Sequence, residues 1–137
     1  MFFTADQLVA HAVGDYILQS QWMADNKRKE SRAALIHCAL YTLPFVLITQ
    51  SVPALALIFG SHFVFDRFGL ARYIVWLKNG PWDFSGDPFA GFIPPLKPMT
   101  PTGYPDRVPA WLSTWLFIIA DNIIHVICNA GALAVFT

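Results

Sequence analysis

The chain is poor in charged residues, which make up only 13% of its 137 residues, whereas 55% belong to the apolar set. A soluble domain usually carries about 25% charged residues, so the sequence has few of the groups that keep a protein surface hydrated. The mean hydropathy is +0.47. This charge deficit predicts an integral membrane protein with a single domain over residues 1–137.

A basic excess, a disulfide framework and a signal peptide are also missing. Nine basic residues balance nine acidic ones, so no nucleic-acid partner is expected. The two cysteines, Cys38 and Cys128, fall in apolar segments and are predicted to be packed thiols, although Cys128 shares a helix face with His125 and could be a soft ligand. The first segment contains Asp6 and Asp15 and has no basic stretch before it, so no cleavable signal peptide is expected.

Four apolar segments are predicted to be helices that cross a bilayer as an all-α four-helix bundle. Their approximate ranges are 2–22, 33–50, 54–78 and 110–136. The stretch 79–109 holds eight of the ten prolines and several aromatics. This composition favours a folded cap on the membrane face or over a cleft, with a flexible linker as the alternative.

Basic residues set the predicted orientation in the membrane. Eight of the nine lysines and arginines lie in the loops at 24–32 and 79–109 or near the helix ends that flank them, and only Arg67 lies deep inside a predicted helix. The positive-inside rule then places both loops in the cytoplasm and both termini outside. The lipid bilayer is therefore the expected surrounding, and the sequence specifies no oligomeric state.

Histidine is scarce, and each of the four histidines lies four residues from an aspartate or a tyrosine. The pairs are His11–Asp15, His62–Asp66, Asp121–His125 and His37–Tyr41. Residues four apart share one helix face, and ionisable residues within a membrane are costly and indicate function. Three or more His–Asp pairs among four histidines arise by chance on the order of 1% of the time. We therefore predict that these side chains meet in the bundle core.

Imidazole and carboxylate donors together suit Zn²⁺, Mn²⁺ or Fe²⁺ better than Mg²⁺ or Ca²⁺. We predict one or two transition-metal ions in the bundle core, zinc being the first choice. The predicted ligands are His11, Asp15, His37, His62, Asp66, Asp121 and His125. Seven donors exceed the needs of one tetrahedral ion and suit two. Asp15 or Asp66 could instead orient a ligating histidine without touching the ion.

The predicted function is a metal-dependent hydrolase that acts on a phosphoester or a lipid-linked substrate entering from the membrane. The candidates for the general base are Asp15, Asp66 and Asp121. Arg67, Gln19 and Tyr41 are weaker candidates for substrate contact. Arg67 could bind a phosphate or merely pair with an acid, and interhelical hydrogen bonding is the alternative for Gln19 and Tyr41.

A non-enzymatic membrane protein is the competing class. Its His–Asp pairs would either form an ion or proton relay or act as hydrogen-bonded glue between the helices of an interaction module. Metal analysis distinguishes the two classes, because only the hydrolase requires one or two equivalents of bound ion.

The opening of the chain resembles that of a family of small bacterial and phage membrane proteins of unknown function. That family begins His-x-x-x-Asp-Phe/Tyr-x-Leu-Gln and continues with Trp-Met-Ala-x-Asn-Lys; residues 8–27 read LVAHAVGDYILQSQWMADNK. The resemblance implies one histidine on the second helix, a His-x-x-x-Asp pair on the third and a late histidine on the last. The matching positions are His37, His62 with Asp66, and His125.

At the position of Asp121 the family has a polar residue that need not be acidic, so the resemblance does not imply a carboxylate there. The proline-rich loop is enlarged here. The family implies no activity. More remotely, the His-x-x-x-Asp pairs are similar to those of membrane-bound metal-dependent hydrolases and zinc-dependent phospholipases. That likeness indicates a reaction class and no substrate.

Overall fold

The computed structural model describes residues 2–79 and 100–137, and within these ranges the chain is helical and contains no strand. The α-helices are α1 (Ala5–Ala12), α2 (Gln21–Asn26), α3 (Ser31–Thr42), α4 (Val52–Phe68), α5 (Ala71–Asn79) and α6 (Ala110–Phe136). A π-helical turn, Val13–Ile17, continues α1, and a 3-10 segment, Leu43–Leu47, continues α3. The predicted all-α class is confirmed for the described part of the chain.

The chain divides into two compact units, one formed by Met1–Gly69 with Ile123–Thr137 and the other by Leu70–Asn122. The first contains α1 to α4 and the end of α6; the second contains α5 and the beginning of α6. The single domain over 1–137 stays a prediction, because α6 contributes to both units. Most of the predicted cap at 79–109 lies outside the described residues.

Hydroxyl side chains begin three of the helices. The side-chain oxygens of Thr4, Ser20 and Ser51 each accept a backbone N–H from the third residue that follows, at 3.3–3.5 Å. Such caps satisfy amide donors that have no partner inside the helix. Pro53 then occupies the first turn of α4, where its missing N–H costs nothing. Residues 51–53, which lie between two of the predicted helices, are therefore the cap and first turn of α4.

The prediction of one continuous helix over residues 2–22 is wrong. The π-helical turn ends at Ile17, and the Ser20 cap begins the separate helix α2. The last residues of this predicted helix and the first of the predicted charged loop at 24–32 therefore form one short helix. Ser20 caps the start of a new helix inside an apolar stretch. The hydrophobic pattern of the sequence did not indicate this break.

The helix predicted over 54–78 is also interrupted. Gly69 has a φ of 59° and caps α4 in the left-handed conformation, and α5 begins two residues later. Pro44 lies at the start of the 3-10 segment, where α3 ends. Gly69 ends α4 because glycine readily adopts a positive φ. Pro44 ends α3 because proline has no backbone N–H to continue the α-helical hydrogen bonds.

Among the described residues, α6 alone is a single helix long and apolar enough to cross a membrane, and 33% of its most apolar stretch is buried inside the structure. Helices α4 and α5 pass the same test together, as one broken span. The apolar stretch Ser31–Leu47 is shorter. By length and composition, α6 could therefore cross a membrane, and α4 with α5 could form a broken span or a re-entrant loop. The four spans and their orientation stay predictions.

The core of the first unit is a cluster of small and large apolar side chains from α1, α3, α4, α6 and the 3-10 segment. Its members are Ala10, Tyr41, Phe45, Ala54, Ile58, Ala132 and Leu133. Outside this core many large apolar side chains are exposed; Leu47 is 91% and Val52 74% accessible. An exposed apolar surface of this extent is typical of contact with lipid or a partner.

Gly14 lies in the π-helical turn at its contact with α3. A Cβ atom at this position would be 2.6 Å from Tyr41 Cδ2 and 3.0 Å from Tyr41 Cα. Because one of these atoms belongs to the backbone of α3, a side-chain rotation cannot relieve the overlap. The missing side chain therefore lets the turn, and Asp15 with it, approach α3 closely.

Gly14→Ala is expected to lower the free energy of unfolding by about 1–3 kcal/mol, because the added methyl group overpacks this contact. Gly60→Ala is the matched control, since a Cβ atom there meets nothing within 4 Å. In the interior of α4 it should be neutral or stabilise the protein by about 0.5–1 kcal/mol. Unfolding of both variants in detergent measures the difference, and equal stabilities would contradict the described packing.

The second unit is built around α5 and the turn at 100–104. Gly103 has a φ of 79° and lies against the backbone of Arg72 and Trp76, where no side chain fits. The Lys78 ammonium lies 3.2 Å from the Tyr104 hydroxyl. These contacts fix the turn on α5.

Candidate metal centre

Four donor atoms converge in the first unit. Nε2 of His37, from α3, lies 2.9 Å from Nε2 of His62, from α4. Asp15 Oδ1, from the π-helical turn, is 3.3 Å from the His37 nitrogen and 3.4 Å from the His62 nitrogen. Asp66 Oδ2, one turn after His62, is 3.1 and 3.2 Å from the same two nitrogens. We call these four residues the His/Asp cluster.

The His/Asp cluster is shielded from solvent. The side chains of His37, His62 and Asp66 are 0%, 1% and 4% exposed, whereas that of Asp15 is 13% exposed. Within the described part of the chain, Asp15 Oδ1 and Asp66 Oδ2 are buried oxygens with no hydrogen-bond partner. Buried carboxylates are costly unless a cation or hydrogen-bond donors compensate them.

The spacing of the donors fits a metal ion. A tetrahedral zinc ion with bonds of about 2.0–2.1 Å places its donors about 3.3 Å apart. The five measured distances, 2.9–3.4 Å, lie around this value. Two neutral imidazoles in the tautomer that leaves Nε2 without a proton would direct two nitrogen lone pairs and two carboxylate oxygens at a central cation. The buried His/Asp cluster can therefore hold a metal ion.

His125, from α6, extends the cluster. Its Nε2 lies 3.5 Å from Asp66 Oδ1, and it forms a second possible ligand set with His62 and Asp66, beside the set of Asp15, His37 and His62. Both sets include His62, whose Nε2 faces both carboxylates. Because the lone pair of one nitrogen binds one ion, the two sets cannot both be complete at the same time.

His11 lies beside the His/Asp cluster, and neither ligand set includes it. Its Nδ1 is 2.8 Å from the Tyr41 hydroxyl and 3.6 Å from Asp15 Oδ2. These contacts are typical of a residue that orients a carboxylate from outside the ligand set. The predicted role of His11 as a ligand stays a prediction.

Tyr41 is fully buried at the centre of the interhelical contacts. Its hydroxyl accepts a hydrogen bond from Asn129 Nδ2 at 2.6 Å and contacts His11. Its ring stacks on His62 with centroids 3.6 Å apart and planes 19° apart. Nδ1 of His62 has no hydrogen-bond partner in the described ranges, so stacking fixes the ring. Tyr41 therefore has the interhelical role that was the alternative to substrate contact.

Arg67 contacts the turn between α2 and α3. Its Nε donates to Ser31 Oγ at 3.2 Å and its Nη1 to the Arg28 carbonyl at 2.7 Å. These contacts tie the turn to α4, and the predicted contact of Arg67 with an acid or a phosphate stays a prediction. Asp121 belongs to the second unit, and neither ligand set includes it. Its roles as a ligand and as a base stay predictions.

Lys27 is the site residue that sequence reasoning missed, because it lies in a run of charges predicted to be a solvated loop. Its Nζ lies 2.8 Å from Asp66 Oδ2, as an ion pair rather than an aligned hydrogen bond. The same ammonium donates at 2.9 Å to Oε1 of Gln19, one of the residues predicted to contact substrate. The capping Ser20 was the available signal, because it starts the helix that ends beside Lys27.

The two cysteines are free thiols; Cys38 is buried and Cys128 half-buried. Neither belongs to a ligand set in the part of the chain that the structure describes. The predicted soft-ligand role of Cys128 therefore has no geometric support.

Fold and site together define a helical protein with a buried His/Asp cluster that can hold a metal ion. Residues 3–82 match the family described as "Protein of unknown function (DUF3307)". The match covers more than half of the 137 residues, and the chain belongs to this family. It includes all four residues of the His/Asp cluster and Lys27, but not His125. No curated protein and no solved structure matches the chain.

The family match confirms the expectation of an uncharacterised family. The membrane character of that family and the likeness to metal-dependent hydrolases stay predictions.

Proposed function

We propose that the protein is an integral membrane, metal-dependent hydrolase that acts on a phosphoester or a lipid-linked substrate. The observation that carries this proposal is the convergence of two imidazole nitrogens and two carboxylate oxygens, 2.9–3.4 Å apart in five pairs. Nitrogen and oxygen donors together favour Zn²⁺, with Mn²⁺ or Fe²⁺ as alternatives. When bound, such an ion supplies Lewis acidity to a phosphoryl oxygen and to the attacking water.

Asp15, His37 and His62 are the proposed ligands. Two imidazoles with one carboxylate is a set used by catalytic zinc sites, which keep a further position open for water or substrate. Asp66 is the remaining member of the His/Asp cluster and already pairs with Lys27 at 2.8 Å. Because the ligand set of Asp15, His37 and His62 does not include Asp66, Asp66 is assigned as the general base. If a second ion bound, Asp66 and His125 would help to hold it, and Asp66 would then be a ligand instead of the base.

The proposed reaction is hydrolysis at phosphorus. The oxygen of a water molecule forms a bond to phosphorus while the ester P–O bond breaks. Asp66 accepts the proton of the water and passes it to the leaving oxygen. The products are an alcohol and a phosphate that has gained the hydroxyl group of the water, so atoms and charges balance.

The proposed location is the bacterial inner membrane, with four spans and cytoplasmic loops at 24–32 and 79–109. Three observations support a membrane location: the length and apolarity of α6, the broken span formed by α4 and α5, and the exposed apolar side chains of the first unit. The stretch Ser31–Leu47 has 17 residues, at the lower limit of about 17–25 for a span. A membrane location gives a lipid-linked substrate direct access to the protein.

The test is hydrolysis by purified protein in detergent, with a chromogenic aryl phosphomonoester and the corresponding diester as substrates. Removal of metal by a chelator is expected to lower the rate at least about 100-fold, since the ion supplies several kcal/mol of transition-state stabilisation. Added Zn²⁺ should restore the rate, and chelator saturated with Zn²⁺ beforehand is the control. A folded protein that binds no metal would contradict the proposal and favour the relay or interaction module.

A further inference from the structure

We propose that Lys27 binds the anionic group of the substrate, and that the site therefore selects substrates with a phosphoryl group. This inference rests on the proposed function and names the substrate class. It begins from the position of the Lys27 ammonium, 2.8 Å from Asp66 Oδ2. The same oxygen faces the nitrogens of His37 and His62 at 3.1 and 3.2 Å. The ammonium therefore contacts an oxygen that borders the space between the four donor atoms.

The charge of the loaded site favours an anion only because of this lysine. Two aspartates contribute −2 and a divalent ion +2, while the metal-binding histidines are neutral. The Lys27 ammonium brings the total to +1. Since electrostatic attraction is strong in a buried environment, a site with one net positive charge recruits an anion that a neutral site would not. Arg67 cannot replace Lys27, because it binds the Arg28 carbonyl and Ser31.

Exposure shows the side from which a ligand reaches the His/Asp cluster. The side chains of Lys27 and Asp15 are 17% and 13% exposed, against 4% or less for the other three site residues. An anion that approaches the cluster therefore meets the ammonium on its way in. An ammonium has three N–H donors; Asp66 and Gln19 occupy two positions around it, which leaves one for a phosphoryl oxygen.

Lys27 is also held in place before a ligand arrives. Its backbone N–H donates to the Met23 carbonyl at 2.8 Å and so closes α2. The residue after it, Arg28, is tied to α4 through Arg67. These contacts fix the backbone, and Gln19 and Asp66 hold the ammonium. Lys27 therefore loses less conformational entropy on binding than a free surface lysine.

The experiment uses metal-loaded full-length protein and inorganic phosphate as the probe, with phosphate affinity measured by titration calorimetry and metal content by atomic emission. For Lys27→Gln we expect a Kd for phosphate at least about tenfold higher at unchanged metal content, because one charge-assisted hydrogen bond is lost. Lys27→Arg should bind phosphate within about threefold of the wild type, since the charge is kept. Lys29→Gln, at an exposed position in the same turn, is the matched control.

Two results would overturn the inference: a Lys27→Gln variant with wild-type phosphate affinity, and one that loses its metal together with its affinity. If Lys27→Gln fails to fold, the wild type still provides a test, because bound phosphate should slow modification of Lys27 by an amine-reactive reagent relative to Lys29. Equal protection of both lysines would overturn the inference.

The inference and the proposed function fail in different ways. Lys27-dependent phosphate binding without hydrolysis supports the inference and overturns the hydrolase. Hydrolysis with phosphate binding that does not depend on Lys27 overturns the inference and leaves the hydrolase.

Discussion

His62→Ala is expected to abolish metal binding, lowering the affinity at least about 100-fold. His62 belongs to both ligand sets, so no other arrangement of the cluster donors compensates for its loss. Mutation of residues that only orient ligands typically costs about 10–100-fold in affinity, and removal of a ligand should cost at least as much. Metal content after dialysis, measured by atomic emission, should fall from about one equivalent per chain to below about a tenth.

Ser61→Ala is the matched control for this variant. Ser61 is the adjacent residue on α4, and its hydroxyl donates to the Ile58 carbonyl of the same helix at 3.2 Å. It should keep the metal content of the wild type.

Thermal unfolding separates metal loss from misfolding. Ligand at 100 times its Kd stabilises the folded state by about 2.7 kcal/mol, so added Zn²⁺ should raise the Tm of the wild type and of Ser61→Ala but not that of His62→Ala. A His62→Ala variant with the metal-dependent Tm shift of the wild type would contradict the assigned site.

Asp66→Asn is expected to slow hydrolysis about 10²–10⁴-fold, the usual contribution of a general base, while most of the metal remains bound. The amide has the size of the carboxylate but cannot accept the proton of the attacking water. Asp15→Asn is the contrast, because it removes a proposed ligand and should lower metal affinity as well as rate. Initial rates and metal content, measured on the same preparations, test both expectations.

The pattern across these two variants decides the role of Asp66. An Asp66→Asn variant that loses metal as completely as His62→Ala would identify Asp66 as a fourth ligand. The general base would then have to be sought elsewhere.

Spacing along the sequence predicted the α4 part of the site because α4 is a regular helix. His62 and Asp66, four residues apart, both face the cluster, and their donor atoms are 3.2 Å apart. His37 could be predicted as a donor, although its spacing to Tyr41 did not indicate that the Tyr41 ring would stack on His62. That contact is between α3 and α4, and no pattern within either helix specifies it.

The same spacing rule was less successful for His11 and Asp15. It assumes a period of 3.6 residues, but the π-helical turn begins at Val13, between the two residues. Such turns are wider than α-helical ones, and here Asp15 enters the cluster while His11 remains beside it. Gly14 was the local signal of a close contact, but its partner Tyr41 comes from a distant part of the sequence.

Lys27 shows the limit of composition as a guide. A run of charges usually indicates a solvated loop, and the other five charged residues of this run are indeed exposed: Asp25, Arg28, Lys29, Glu30 and Arg32. The short helix α2, with six residues, is too brief for hydrophobic periodicity to reveal. The ion pair with Asp66 depends on tertiary contacts of this helix, which the sequence pattern does not encode.

The two hydrogen bonds that Arg67 makes with the turn between α2 and α3 have a mechanical consequence. Because Arg67 binds the Arg28 carbonyl and Ser31, it couples the turn that carries Lys27 to α4, the helix that carries Asp66. The separation between the Lys27 ammonium and the Asp66 carboxylate is therefore constrained by two hydrogen bonds that neither residue makes itself.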